Sequence, residues 1–446
     1  MTAARDELAR VEAALEQRGP GRMVPNRDRI EALLDLLGNP QRAYPAIHLT
    51  GTNGKTSTAR MIDSLLRAFG LRVGRYTSPH LDSVTERISV DGAPARDKFV
   101  AAYDDVAPFA DLLDAKVDGG DTVTYFELTT AMAFAAFADT PVDVAVVEVG
   151  LGGEWDATNV VEAGVAVVTP IGLDHAELLG GSLESIATEK AGIIHHGATV
   201  ITAVQPAEAA DPLLRRAVEK DATVAREGME FGVVSRSVAV GGQMLTLQGL
   251  GGVYDEIFIP LHGAYQAQNA AVALAAVEAF LGAGADRRLD IEAVREGFAQ
   301  ATAPARLERV RSSPTVLVDA SHNPAGMAAT VEALGEAFSF SRLVAVVAVL
   351  ADKDARGILE LLEPVTDAVV VTQNSSPRAM PVDDLAALAV DVFGTDRVDV
   401  SPRMDDALES AITIAEEDSA ELMSASGVLV TGSVVTAADA RRLLRR

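Results

Sequence analysis

The sequence predicts an α/β protein of two domains: a large parallel-sheet domain with an added antiparallel β segment, then a smaller Rossmann-like domain. Three observations predict it. From about Pro45 onward, short β-branched runs, Gly-rich or polar turns and stretches of helical periodicity recur in alternation, the pattern of strands joined by crossover helices. The β-branched runs are nearly continuous in apolar character, as strands covered on both faces require. The rhythm stops at Ala-Thr-Ala-Pro-Ala, residues 301–305, and restarts at Thr315. With 446 residues the chain is about three times a common domain, so the expected division is 1–302 and 303–446.

The elements follow in order. The opening stretch MTAARDELARVEAALEQRG spaces charges and apolar residues helically and lacks a signal peptide's continuous apolar core, so an amphipathic helix is expected. Strands are expected at 46–50, 142–149, 164–169 and 199–203, with helices at 59–69 and 183–194 between them. Residues 231–261 mix Gly, Val and Leu with alternating polar residues and carry little helical signal, which reads as antiparallel β structure. The second domain continues through strands at 315–319, 343–350, 368–372, 398–401 and 428–431.

Composition excludes several functions. Hydrophobic residues make up 48% and charged residues 23%, enough apolar material for packed cores. Thirty-eight basic against 64 acidic side chains give a net charge of -26, which repels nucleic acid and anionic lipid. With zero Cys there are no disulfides, zinc-thiolate sites or cysteine nucleophiles. The longest apolar stretches reach about half a membrane span. A cytoplasmic protein with no membrane and no nucleic-acid partner is expected.

His48-Leu49-Thr50-Gly51-Thr52-Asn53-Gly54-Lys55-Thr56-Ser57 lies between a strand and a helix, the setting of a phosphate-binding P-loop. Backbone N–H groups of Thr52, Asn53, Gly54 and Ser57, with the helix N-terminus, form the concavity that phosphates need. Lys55 is placed for the outer phosphates and Thr56 for a magnesium ion. Two residues rather than four separate Gly51 from Gly54, a shortened form of the general motif. Glu148 ends an apolar run just before Gly150-Leu-Gly-Gly153, where a strand-end carboxylate can hold magnesium; alone, it is equally a solvated strand-end acid. Thr124-Tyr125-Phe126-Glu127 sets two aromatics and an acid ahead of a helix, either a platform for a flat heterocycle or ordinary core.

The shortened loop resembles that of the Mur ligase superfamily. Tyr76-Thr-Ser78-Pro-His-Leu81, the Thr124–Glu127 block, Glu148–Gly153, Asp156-Ala-Thr-Asn159, Asp174-His175, Glu189-Lys190-Ala-Gly192 and Asp319-Ala-Ser-His322-Asn-Pro324 are similar, in order and spacing, to the folylpolyglutamate synthase/dihydrofolate synthase family. The resemblance implies ATP as co-substrate and two magnesium ions. It implies metal ligation by Thr56, Ser78, Glu148, His175 and Lys190, the lysine carrying a carbamate; the alternative reading of Lys190 is a helix lysine paired with Glu189 or nearby acids. It implies adenine-nucleotide contacts from Asn269, Arg306 and Asp319, catalytic roles for Lys55, Lys190 and His322, and acceptor contacts from Thr124, Tyr125, Phe126, Glu127 and Asp156. Asp352-Lys353-Asp354 is a further family-like loop for the glutamate substrate, whereas Glu154 stands where the family commonly has Arg. The implied reaction joins L-glutamate to dihydropteroate or a reduced folate through an acyl phosphate, in a monomeric enzyme. Alternatives are a Mur-type ligase acting on a UDP-muramoyl or cyanophycin-like substrate, and a regulatory or motor NTPase.

Overall fold

The structure, a computed structural model, describes residues 2–19, 24–116, 121–174, 176–284, 287–417 and 426–445. The chain divides into two compact units, one of Met1–Arg236, Met244–Ile259 and Ala267–Ala301, the other of Ser237–Gln243, Pro260–Gln266 and Thr302–Arg446.

In the first unit β1 (Ala46–Thr50), β2 (Val73–Tyr76), β3 (Ile88–Val90), β4 (Ala93–Pro94), β5 (Val144–Glu148), β6 (Val165–Val168), β7 (Thr199–Thr202) and β8 (Thr223–Arg226) form one sheet in the order β4-β3-β2-β5-β1-β6-β7-β8. The strands β2, β5, β1, β6, β7 and β8 run parallel. Every residue of β1 and β5 is buried, which explains why their runs are nearly continuous in apolar character. The sheet is not parallel throughout: β3 and β4 add antiparallel at one edge, where two- and three-residue strands need no crossover helix. The apolar core on one side draws Leu33, Phe99, Phe134 and Phe137 against β2 and β5. On the other side Ile186, Ile193 and Leu213 pack with Ala166 and Val168 of β6.

Three further strands, β9 (Gly232–Ala239), β10 (Gly242–Gln248) and β11 (Val253–Ile259), make the separate sheet expected at 231–261. Connections of two and four residues between them permit only antiparallel pairing.

In the second unit β12 (Glu308–Ser312), β13 (Thr315–Val318), β14 (Arg342–Val347), β15 (Ala368–Val371), β16 (Val398–Val400) and β17 (Ser426–Thr431) are ordered β12-β13-β17-β14-β15-β16. All pair in parallel except β12, an antiparallel edge strand. Leu317, Val347, Val371 and Leu429 join Ile358, Leu359 and Leu385 of the covering helices in its core. Among the described residues no helix is long and apolar enough to cross a membrane.

Candidate active site

The phosphate loop follows β1 directly, and the helix after it, Lys55–Ala68, begins four residues earlier than its apolar pattern suggests. Gly54 explains the difference. It occupies the left-handed region at φ 89 and is the N-cap, with no side chain to cap the first helical amides. A Cβ on Gly54 would lie 2.6 Å from Asn269 Oδ1, and one on Gly51, at φ 144, would lie 1.9 Å from Thr169 Oγ1. The loop therefore admits only glycine at both places. The Thr52 and Asn53 amides donate to the Pro170 carbonyl, and Thr52 Oγ1 donates to that of Gly172. These two residues anchor the loop, and the helix N-terminus follows it directly; Ser57 is buried within the helix.

Two lysines converge on this loop. Lys55 Nζ donates to the carbonyl oxygens of Gly51 at 2.9 Å and Thr52 at 3.3 Å. Lys190, near the end of the helix Leu183–Ala191 and 4% exposed, donates to the same Gly51 oxygen at 2.9 Å. Burial and then the neighbouring Lys55 charge push the Lys190 ammonium down to about 7, against the opposing pull of Asp174, Asp156 and Glu189. The helix is tied to the glycine turn after β5: Glu189 Oε1 accepts the Gly153 and Trp155 amides, and its carbonyl accepts that of Glu154.

Glu148 closes β5, is 1% exposed, and accepts Thr56 Oγ1 at 2.7 Å. Thr56 and Glu148 are thus brought together, both offering oxygen. Ser78 precedes a cis proline after β2 and lines the adjoining cavity. An all-oxygen donor set suits a hard ion that retains several waters, which is magnesium rather than zinc. His175 lies outside the described residues, and among the described residues no group of three or more His, Cys, Asp and Glu could hold a metal.

The cavity, of about 280 Å³, opens beside Ser78 and the turn 150–157. Thr124 and Glu127 cap the helix Tyr125–Asp139 reciprocally: Glu127 N donates to Thr124 Oγ1 and Thr124 N to the Glu127 carboxylate. Glu127 also receives Arg29 Nε at 2.9 Å, which brings a guanidinium to the cavity wall. Phe126 faces the cavity and crowds Gly150, where a Cβ would sit 2.4 Å from its ring. Tyr125 instead lies under Arg87, its ring centroid 5.0 Å from the guanidinium carbon, and is not part of the wall. Asp156 lines the cavity; its carboxylate accepts the amides of Leu151 and Thr158 and the Thr158 hydroxyl. Glu154 pairs at the surface with Arg216 at 3.0 Å. Arg29, Arg87 and Trp155 complete the wall, and none of them stands out in the sequence; only the place of Trp155 inside Gly153-Glu-Trp-Asp156 could have signalled it.

In the second unit Asp319 directly follows β13 and is fully buried. Its Oδ2 accepts the Leu307 amide, and its Oδ1 accepts the Ser321 amide and the Thr330 hydroxyl. Arg306 lies between Ala305 and Leu307, at φ 54 and 45, left-handed positions that such residues rarely take. His322 Nδ1 sits 3.0 Å from the Ala320 carbonyl oxygen. In the 352–354 loop, Asp352 pairs with Arg378 and Asp354 caps the helix Ala355–Leu362. Lys55, Thr56, Glu148, Lys190 and Asn269 thus belong to the first unit, and Arg306, Asp319 and His322 to the second.

Comparison with known proteins fixes the class. The Mur ligase middle domain matches residues 49–277, and the Mur ligase glutamate ligase domain matches residues 305–434. Sheet order, phosphate loop and both matches define a ligase of the Mur type. The chain is 53% identical to the dihydrofolate synthase/folylpolyglutamate synthase of Mycobacterium tuberculosis, over 99% of this chain and 95% of that protein. The enzyme of the same description from Bacillus subtilis is 34% identical over 94% of this chain and 95% of its own. The structure of Mycobacterium tuberculosis folylpolyglutamate synthase complexed with ADP superposes with a TM-score of 0.95 at 52% identity, covering 99% of both chains. The chain belongs to the folylpolyglutamate synthase/dihydrofolate synthase family.

Proposed function

We propose that this enzyme joins the amino group of L-glutamate to a carboxylate of dihydropteroate, and to the glutamate tail of reduced folates, at the expense of ATP. The observation that carries the reading is the convergence of Lys55, Lys190, Thr56 and Glu148 around one glycine loop. Family membership supports ATP-dependent glutamate ligation as its chemistry.

The residues divide the work. The amides at the helix start and the Lys55 ammonium would receive the phosphates and neutralise charge as the γ-phosphoryl group moves to the acceptor carboxylate. The acyl phosphate so formed is attacked by the glutamate amine, giving an amide, ADP and phosphate. Thr56, Ser78 and Glu148 are the oxygen donors that would hold magnesium, and His175 would join them. Bound magnesium would screen the phosphate charge. Lys190, with its amine pushed down to about 7, is the residue most open to carbamylation. Its neutral Nζ would bond to the carbon of CO2 and release a proton, replacing a repelling cation by an anionic oxygen ligand.

Phe126 and Trp155 would flank the flat pterin ring, with Asp156 and Arg29 at its polar edge. Thr124 and Glu127 support that wall from the helix cap, and Tyr125 stands behind it under Arg87. Arg306, Asn269 and Asp319 would serve the nucleotide, and His322 the developing intermediate; residues 1–302 would supply ATP binding and 303–446 the glutamate-ligase part. A monomer working in the cytoplasm completes the reading.

The test is direct. Purified protein with ATP, magnesium and L-glutamate should add one glutamyl unit to dihydropteroate and further units to tetrahydrofolate, read by mass spectrometry. Conversion of UDP-muramoyl acceptors with neither pterin extended would overturn the assignment.

A further inference from the structure

His48 has no part in the chemistry above, yet it is fully buried in the strand that ends in the phosphate loop. Side chains two apart on a strand share a face, and on this face of β1 both neighbours reach the turn after β5. Thr50 Oγ1 donates to the Gly152 carbonyl at 2.8 Å, and His48 Nε2 meets Thr158 Oγ1 at 2.9 Å. Thr158 Oγ1 in turn stands 2.5 Å from Asp156 Oδ1, so a buried chain runs from the strand core to the cavity wall.

The direction of that chain follows from counting protons. Thr158 has one hydroxyl hydrogen, and the carboxylate of Asp156 can only accept when ionised. If the hydroxyl donates to Asp156, His48 must carry its proton on Nε2 and donate to Thr158. His48 Nδ1 is buried without a partner, a position that tolerates a bare acceptor better than an N–H. Burial and the nearby His195 push the His48 ring down to about 3, so it stays neutral. Burial pushes the Asp156 carboxyl up, and the donors aimed at it, the hydroxyl and amide of Thr158 and the amides of Leu151 and Gly150, oppose that push by favouring the ionised form.

We propose that His48 and Thr158 are positioning residues that hold Asp156 as an acceptor-only edge of the cavity, and thereby set its preference for a heterocycle presenting N–H donors, such as a 2-amino-4-oxopteridine, over an analogue lacking them. The proposal rests on the assignment of the acceptor ring to this cavity.

The direction can be read without any variant. In the full-length protein, 15N NMR should show the His48 ring protonated at Nε2 and bare at Nδ1; a proton on Nδ1 would overturn the proposal. Thr158→Val keeps the shape and removes both hydroxyl bonds. It should raise KM for dihydropteroate about tenfold and narrow the preference over a 2-desamino pteridine acceptor, with KM for ATP unchanged. Thr158→Ser should restore both values, and His48→Gln, whose amide can still donate, should fall between. Unchanged KM and selectivity in Thr158→Val would overturn the proposal, as would an equal rise in the KM of ATP. If the parent protein extends no pterin acceptor, the functional reading fails on that separate result.

Discussion

Lys55 and Lys190 share one acceptor: each Nζ lies 2.9 Å from the carbonyl oxygen of Gly51. Two ammonium groups so placed oppose each other, and burial makes Lys190 the one that yields, down to about 7. A lysine neutral near physiological pH is a nucleophile toward CO2. Activity in limiting bicarbonate should therefore rise as pH increases from about 6 to 8 and be restored at fixed pH by added bicarbonate. Intact-protein mass spectrometry after trapping should place the added carboxyl on Lys190. A bicarbonate-independent profile would remove the carbamate from the reading.

The same shift has a stability consequence. The folded pKa of about 7 lies below the ordinary lysine value of 10.5, so between these pH values the unfolded chain binds the extra proton. Lys190 therefore costs stability near pH 7, and the cost fades as pH rises toward the unfolded pKa. In bicarbonate-free buffer Lys190→Met should raise Tm relative to the parent at pH 7 and by less at pH 10, measured by differential scanning calorimetry.

Lys55→Ala should lower glutamate-dependent ADP release about a hundred- to a thousandfold, the scale of removing one preorganised charge from a transition state. The side chain is half-buried and its charge opposes that of Lys190, so its removal should move Tm little. Turnover within a few-fold of the parent would contradict the assignment of the loop.

How much of this was legible before the structure depended on whether local pattern or tertiary contact decided it. The strands β1, β5, β6, β13 and β17 are buried on both sides and could be read as apolar runs. The short strand β2 could not: its Arg75 is buried only because Asp63, on the helix after the phosphate loop, neutralises it. β12 is equally hidden, since Glu-Arg-Val-Arg-Ser is an exposed edge whose Glu308 is held by Arg441 of the last helix and Arg445 just after it. At the site, glycines and lysine announced the loop because the backbone itself makes the concavity. Thr124, Phe126, Glu127 and Asp156 of the cavity wall were marked by the family resemblance, but Arg29 and Arg87 were not, because they join it through Glu127 and Tyr125, partners far along the chain.

Gly54→Ala tests the loop backbone. The substitution forces a side chain into φ 89 and sets its Cβ 2.6 Å from Asn269 Oδ1. A left-handed alanine costs about 1–2 kcal/mol before any displacement of Asn269. ATP affinity measured by calorimetric titration should fall at least about tenfold, since the amides opening the helix lose their aim. Binding equal to the parent would show that the glycine is only a turn residue.

Trp155 is the single tryptophan of the chain and lines the cavity, so its fluorescence reports occupancy. Dihydropteroate stacked beside it should quench the emission saturably, and Phe126→Ala should weaken that titration by removing the other aromatic ring of the cavity wall. ATP alone should leave the signal largely unchanged. Quenching by ATP and none by a pterin would move the heterocycle out of this cavity.

Asp319 clamps the segment that carries Arg306. Its carboxylate accepts the Leu307 amide while its other oxygen is held by Ser321 and Thr330; on the far side Glu308 accepts the Ala305 amide, and the Ala305 carbonyl accepts that of Ala320. Left-handed Ala305 and Leu307 cost about 1–3 kcal/mol each, so they persist only because these bonds over-determine them. Replacing the carboxylate by an amide turns one accepting oxygen into a donor facing the Leu307 N–H. Asp319→Asn should lower stability by about 1–3 kcal/mol in urea unfolding. It should also raise KM for ATP if the nucleotide role of Arg306 depends on this clamp. The double variant decides how Asp319 acts. If it acts by aiming Arg306, Arg306→Ala with Asp319→Asn should be no worse in KM for ATP than Arg306→Ala alone. Additive losses would instead mean that the carboxylate meets the nucleotide itself.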